Sequence, residues 1–283
     1  MCVEDGMKDL DRHFVGQVVA VTGGARGIGR RIAHAFGQEG AAVVLCDIDQ
    51  RTGEAAKAEL RDRGATAEFL PTDLSQRGVP QTMVRQIVQQ FGRLDILINN
   101  ARWTVKAGLF EEDEESWERG MAVSLRAPFF AAQEAIRMME KTGGGSIVNI
   151  SSVLAFVTTP SASVSYHVAK AGLVQLTRYL AASAGRVGVR VNAILPGFIV
   201  QQEHWDRYTQ DENHRYRDLA EFCHPLRHVG GSDDVAHACL FLCSPEASFI
   251  TGQCLIVDGG LTTQEPFDLL FAFDQQRGEA PSS

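Results

Sequence analysis

The sequence predicts an α/β fold, a doubly wound parallel sheet of seven strands with helices on both faces, in one domain. Three observations carry this. Apolar strand-forming runs alternate with helix-forming runs along almost the whole chain, the pattern of successive βαβ units. The strand runs are apolar without polar alternation, as expected where both strand faces are covered. The first strand run ends in a glycine-rich turn, TGGARGIG, that opens the first helix. At 283 residues the chain is short enough for a single core, since chains near 300 residues bury about three quarters of their unfolded surface. Residues 1–15 read as an N-terminal extension, 16–262 as the dinucleotide-binding and catalytic domain, and 263–283 as a tail.

The elements follow in order. QVVAVTG (17–23) is a buried first strand, and a helix covers about 27–39. AAVVLCDID is a second strand, with a helix over about 50–62. AEFLPTDL is a weaker third strand, with a helix over about 78–91. LDILINN (94–100) is the fourth. The acidic stretch EEDEESWERG opens a long helix reaching Met139, because acidic side chains suit a helix N-terminus. GGGSIVNISS holds a turn and the fifth strand, and a loop with Thr158, Thr159 and Pro160 leads into a helix carrying Tyr166 and Lys170. VRVNAILPG (189–197) is the sixth strand. Residues 198–225 are polar and aromatic-rich, and their place at the end of a sheet strand predicts a substrate lid. SDDVAHACLFLCS is a last helix and CLIVDGG the seventh strand. The tail's middle, PFDLLFAF, is apolar enough to pack on a neighbouring subunit, and its polar end, QQRGEAPSS, is expected to fray.

Composition excludes several classes. The formal net charge is -8 and no basic stripe stands out, which argues against nucleic acid as a partner. No apolar run approaches the roughly 20 residues needed to span a bilayer. The polar, acidic start is not a signal peptide. A soluble, cytoplasmic protein is expected. None of the six cysteines form a Cys-x-x-Cys pair. Cys239 and Cys243, in an apolar helical run, read as buried small apolar residues rather than metal ligands.

The chemistry is carried by a few positions. Tyr166 and Lys170 stand at i and i+4, on one helix face. An ammonium near a phenol favours the phenolate and lowers the tyrosine pKa, giving a proton donor and acceptor usable near neutral pH. In TGGARGIG, Gly23 permits the tight turn, Gly27 lets the backbone approach a phosphate, and Gly29 allows helix to pack on strand. The helix N-terminus, with Ile28, then faces a pyrophosphate. Asp47 ends the second strand, where a carboxylate can accept hydrogen bonds from adenosine ribose hydroxyls and repel a 2'-phosphate. An Asx turn or a helix cap is the structural alternative. Arg26 could sit near a phosphate; Asp47 is weighed more heavily, so NAD is favoured over NADP.

Together TGGARGIG, Asp73-Leu74, Asn99-Asn100-Ala101, Ser152, Tyr166-His-Val-Ala-Lys170 and Pro196-Gly197 occur in the order that marks one family, across about 16–262. The chain resembles the NAD(P)-dependent short-chain dehydrogenases/reductases, which implies a Rossmann fold. The resemblance implies roles as well. Tyr166 would exchange a proton with the substrate oxygen. Lys170 would hold the nicotinamide ribose and lower the tyrosine pKa. Ser152 would hydrogen-bond the reacting oxygen, with Ser151 as fallback because the Ser152–Tyr166 spacing is one residue long for the family. Asp73 and Leu74 would flank the adenine, Asn100 would hold its strand beside the cofactor, and Pro196, Gly197 and the backbone near Ile199 would meet the nicotinamide end. A homotetramer or dimer is implied too.

Three departures from the family pattern stand out. Ser124, in AVSLRAPFF, takes the place of an Asn that bends the helix and holds a relay water. Arg102 stands where glycine is usual, so its side chain could enter the cleft and meet substrate, or turn outward onto Glu111 or Glu112. Gln201 replaces a common Thr. The lid carries Arg207, Arg215 and Arg217, read as a solvated face, and His204, His214, His224 and His228 are expected at the surface without metal-ligand spacing. The expected activity is hydride transfer between NAD(H) and a secondary alcohol or ketone, a polar small molecule. The alternatives are NADP-dependent ketone reduction, or cofactor binding with little turnover.

Overall fold

A computed structural model describes residues 13–278. Residues 1–12, with Cys2, and 279–283 lie outside the described residues. The first strand, β1 (Val18–Thr22), is buried at every position. It leads through the glycine turn into α1 (Gly27–Gln38). Then come β2 (Ala42–Asp47), α2 (Gln50–Asp62), β3 (Ala67–Pro71), α3 (Val79–Phe91) and β4 (Ile96–Asn99). Asp49 caps α2 by accepting from the Thr52 amide at 3.1 Å.

The long helix expected up to Met139 is present, with one widening. α4 (Glu114–Met121) is capped by Asp113, which accepts from the Ser116 amide at 2.8 Å. A π-helical turn follows over Ala122–Arg126, and the helix resumes as α5 (Ala127–Met139). Such single π turns bend helices and recur at functional sites. Next are β5 (Gly145–Ile150), α6 (Val164–Ala184) and β6 (Val189–Pro196).

The segment 198–225 folds as a small layered unit. β7 (Ile199–Val200) pairs with β8 (Gly230–Gly231), and α7 (Gln202–Thr209) and α8 (His214–Phe222) lie between them in sequence. Val200, Tyr208 and Val229 form its own buried cluster. α9 (Ser232–Cys243), β9 (Cys254–Val257) and α10 (Pro266–Gly278) complete the chain.

Seven parallel strands make the main sheet, in the order β3-β2-β1-β4-β5-β6-β9. Successive residues of β1 face opposite sides, as in any strand. Val19 and Val21 join the layer containing α1 and α9, and Val18 and Ala20 join the layer under α3 and α5. The strand order reverses between β1 and β4. In open α/β sheets ligands bind at such a switch point, outside the strands' carboxyl ends. Every motif singled out in the sequence lies at or near that edge.

Two expectations need correction. His224 is not at the surface: it is 1% exposed, its Nδ1 lies 2.6 Å from the Ala220 carbonyl, and its ring packs beneath Gly259. A glycine there leaves the room an imidazole needs. The tail is helical through Gly278, so the start of its polar end continues α10 rather than fraying. In the tail, Phe273 packs on Phe222 of the same chain, with ring centroids 5.1 Å apart, and Phe267, Leu270 and Phe271 are exposed. Cys46, Cys239 and Cys243 are buried in the two core layers. Burial pushes the Cys46 and Cys243 thiols up to about 12.

Candidate active site

The glycine turn is clamped to the end of β4. Thr22 Oγ1 accepts from the amides of Asn100 at 2.9 Å and Ala101 at 3.1 Å. The Asn100 side chain donates to the carbonyls of Thr22 at 2.9 Å and Gly23 at 3.0 Å. Gly23 and Gly27 have positive φ, which favours glycine. A Cβ on Gly23 would come within 2.9 Å of the Ala101 backbone, and one on Gly29 would collide with the Gly23 carbonyl. The turn therefore has the bare, closely packed backbone that a pyrophosphate cradle at a helix N-terminus requires. The Arg26 side chain does not cap α1 and is exposed, with no hydrogen-bond or ion-pair partner among the described residues.

Asp47 ends β2 beside this turn. Its carboxylate accepts from the Ala25 amide at 3.2 Å and the Asp49 amide at 3.2 Å. The Asx turn is therefore real, and one carboxylate serves both it and the glycine turn. Asp73 is held locally: Ser75 donates from its amide at 3.0 Å and its hydroxyl at 2.6 Å. Burial pushes the Asp73 carboxyl up, and these bonds outweigh it, leaving it below the usual range. Leu74 is 6% exposed and joins the core. Pro196 ends β6, and Gly197 passes so close to Asp258 that a Cβ would meet its Cβ at 2.5 Å. Ile199 follows in β7.

Ser152, Tyr166 and Lys170 converge at the end of β5. Lys170 is 1% exposed, its Nζ donates to the Ile150 carbonyl at 2.6 Å, and it stands 5.5 Å from the Tyr166 ring centroid. Ser152 stands near enough to the Tyr166 phenol to pull its pKa down, and it accepts from the Leu154 amide at 3.1 Å. Ser151 instead donates its hydroxyl to the Lys170 carbonyl at 2.8 Å. The geometry thus separates the two serines, one beside the phenol and one bracing α6.

The electrostatics differ from the sequence expectation. Burial raises the Tyr166 pKa above its ordinary value, and the groups pulling it down are Arg102 and Ser152, not Lys170. Burial first, and the Arg102 charge second, lower the Lys170 pKa to about 7. Arg102 is exposed yet reaches both groups electrostatically. It pairs with neither Glu111 nor Glu112. Glu112 accepts from the Ser165 amide at 3.0 Å and from the Ser165 hydroxyl.

Ser124 lies in the π turn and is 1% exposed. Its Oγ accepts from the Trp103 amide at 3.1 Å and donates to the Trp103 carbonyl at 3.4 Å. These two contacts tie the loop carrying Arg102 to the π turn. Sequence spacing could place Ser124 on the helix but could not show which loop would land on it.

A glycine turn at the switch point of a parallel sheet, with a half-buried tyrosine and a buried lysine at the end of β5, is the arrangement of a dinucleotide-dependent oxidoreductase. Comparison with known proteins makes this specific. A family model described as Enoyl-(Acyl carrier protein) reductase matches residues 23–262. An uncharacterized oxidoreductase of Thermotoga maritima is 39% identical, over 88% of this chain and 97% of its own length. The 3-oxoacyl-acyl-carrier-protein reductase of Chlamydia muridarum is 34% identical, over 89% of this chain and all of its own. A solved structure from Sinorhizobium meliloti 1021, described provisionally as a short-chain alcohol dehydrogenase, superposes with a TM-score of 0.82 at 32% identity, covering 90% of this chain and 99% of that one. The chain belongs to the short-chain dehydrogenase/reductase family, whose members use NAD(P), and is an oxidoreductase acting on CH-OH groups. Among the described residues no helix is long and apolar enough to cross a membrane.

Proposed function

We propose that the protein transfers a hydride between NAD(H) and a secondary alcohol or its ketone, on a polar substrate bearing a carboxylate or several oxygens. One observation carries this reading: the Ser152–Tyr166–Lys170 cluster lies under the influence of an exposed guanidinium, Arg102, on the loop leaving β4. When bound, the nicotinamide supplies the hydride chemistry, and the protein supplies position and electrostatics. The glycine turn of Gly23, Gly27, Ile28 and Gly29 holds the pyrophosphate. Asp47 takes the adenosine ribose hydroxyls. Ser152 hydrogen-bonds the substrate oxygen and Tyr166 Oη exchanges the proton with it. Lys170 Nζ, already at the foot of the cleft, holds the nicotinamide ribose. Pro196, Gly197 and Ile199 border its carboxamide. In this reading the enzyme is a cytoplasmic homotetramer or dimer, as the family resemblance implies.

Cofactor choice is tested by isothermal titration of NAD(H) and NADP(H). Wild type should bind NAD(H) more tightly, and Asp47→Ala should narrow the gap, chiefly by weakening NAD(H). The second reading, NADP dependence, is favoured by Arg26, an exposed guanidinium at the start of α1. Tighter NADP(H) binding by wild type establishes that reading instead.

Arg102 tests the substrate class. A hydrogen bond to a charged group contributes roughly 1.5–3 kcal/mol, so Arg102→Gly should raise KM for hydroxy acids about 10- to 100-fold while cofactor affinity holds. Removing the positive charge also withdraws an attraction that lowers the Tyr166 pKa, so the pH profile for alcohol oxidation should move to higher pH. An unchanged KM across carboxylate and sugar substrates, or a preference for apolar alcohols, rejects the polar-substrate reading.

A further inference from the structure

The first turn of α7 carries Glu203, and its carboxylate reaches across the lid to the glycine turn. Glu203 Oε1 accepts from the Gly27 amide at 2.9 Å, at the first residue of α1, and lies 3.5 Å from Arg30 Nη2. Gln201, two residues earlier, rests against the same place: a Cβ on Gly27 would collide with the Gln201 side-chain oxygen. The two side chains cover the cradle from the lid side. Burial pushes the Glu203 carboxyl up, but the Gly27 amide and Arg30 outweigh it and keep it ionised.

We propose that Glu203 is an internal competitor for the pyrophosphate site: its carboxylate holds α7 on the α1 N-terminus, and the dinucleotide must displace it to bind. The inference rests on the reading of TGGARGIG as the pyrophosphate cradle. Its logic is one of like charges. A helix N-terminus with free amides favours an anion, and this chain presents one from 176 residues away in sequence. A pyrophosphate and a carboxylate on the same amides repel, so only one can occupy them at full strength. The displaced side chain has room. A cavity of about 500 Å³ borders Glu203, and its lining mixes Arg30, Arg31 and Arg63 with Glu59 and Asp233, which pair with them. Exchange of anions at Gly27 therefore couples cofactor binding to the position of α7. Glu203 then sets cofactor affinity and lid position together, without touching the reacting atoms.

The test is isothermal titration of full-length wild type, Glu203→Gln and Asp206→Asn with NADH and with ADP-ribose, which has the pyrophosphate but no nicotinamide. Glu203→Gln keeps the side-chain shape and removes the charge. It should tighten both ligands about 10-fold, a scale set by charge at a helix N-terminus. Asp206→Asn makes the same change in net charge on the same helix, away from the cradle, and should leave both affinities unchanged. Thermal midpoints confirm that the variants are folded, and Glu203→Ala repeats the measurement if Glu203→Gln is not. Equal or weaker binding by both Glu203 variants overturns the proposal, as does equal tightening by Asp206→Asn, which would make the effect one of overall charge. Failure of every protein, wild type included, to bind ADP-ribose overturns the cradle reading itself.

Discussion

Tyr166→Phe is expected to lose at least ~100-fold in turnover, the usual scale for general acid-base catalysis, with the dinucleotide still bound. The substitution keeps the ring, which is 5.5 Å from the Lys170 ammonium, and removes the one hydroxyl that Ser152 addresses. The direction of the pKa shift sharpens the expectation. Burial raises Tyr166, so the phenol holds its proton and is suited to donate it during ketone reduction. Alcohol oxidation needs the phenolate, and its rate should climb with pH. Steady-state rates in both directions across pH, with cofactor binding followed by NADH fluorescence, check this. Near-normal turnover in Tyr166→Phe would remove Tyr166 from the chemistry.

Much of this fold was legible in the sequence because its signals are local. The parallel strands read as unbroken apolar runs, and α2 begins and ends where its periodicity does. The order of Ser152, Tyr166 and Lys170 along the chain foretold a cluster at the end of β5. What was not legible depends on residues distant in sequence. His224 stands among arginines and tyrosines, and only the fold brings Gly259 over it. Ser124 lands on Trp103 because the π turn and the loop after β4 meet. Glu203 lies in a stretch that reads as a polar, solvated lid, and its target amide belongs to the first helix of the chain. The sign of the Tyr166 shift was missed for a related reason. Sequence shows that a lysine is near, but desolvation depends on every layer packed around the pair, and here it weakens the lysine's charge as well.

That burial leads to the second large effect: Lys170→Met should destroy turnover and stabilise the fold. Lys170 is 1% exposed and has one hydrogen bond, to the Ile150 carbonyl at 2.6 Å. A buried ammonium with one partner is costly. Its pKa falls from 10.5 to about 7, so the cost is on the order of a few kcal/mol at about 1.4 kcal/mol per unit. The sign follows from proton counts. Between pH 7 and 10.5 the unfolded lysine keeps a proton that the folded one has lost, so wild-type stability rises with pH through that window. Below pH 7 both states are charged and the whole cost is present. Methionine has similar length, no charge and no need of a partner. Lys170→Met should therefore melt several degrees above wild type at pH 6, and the gap should narrow towards pH 10. Turnover should fall at least ~100-fold, and dinucleotide affinity should weaken as the ribose loses its anchor. Calorimetry at pH 6 and pH 10 decides the stability arm. A variant less stable than wild type at pH 6, or a gap independent of pH, would mean that the lysine is held at no cost and that its burial is structural. The outcome expected is a trade of stability for activity at one residue, in which the fold tolerates a buried amine because the reaction needs it there.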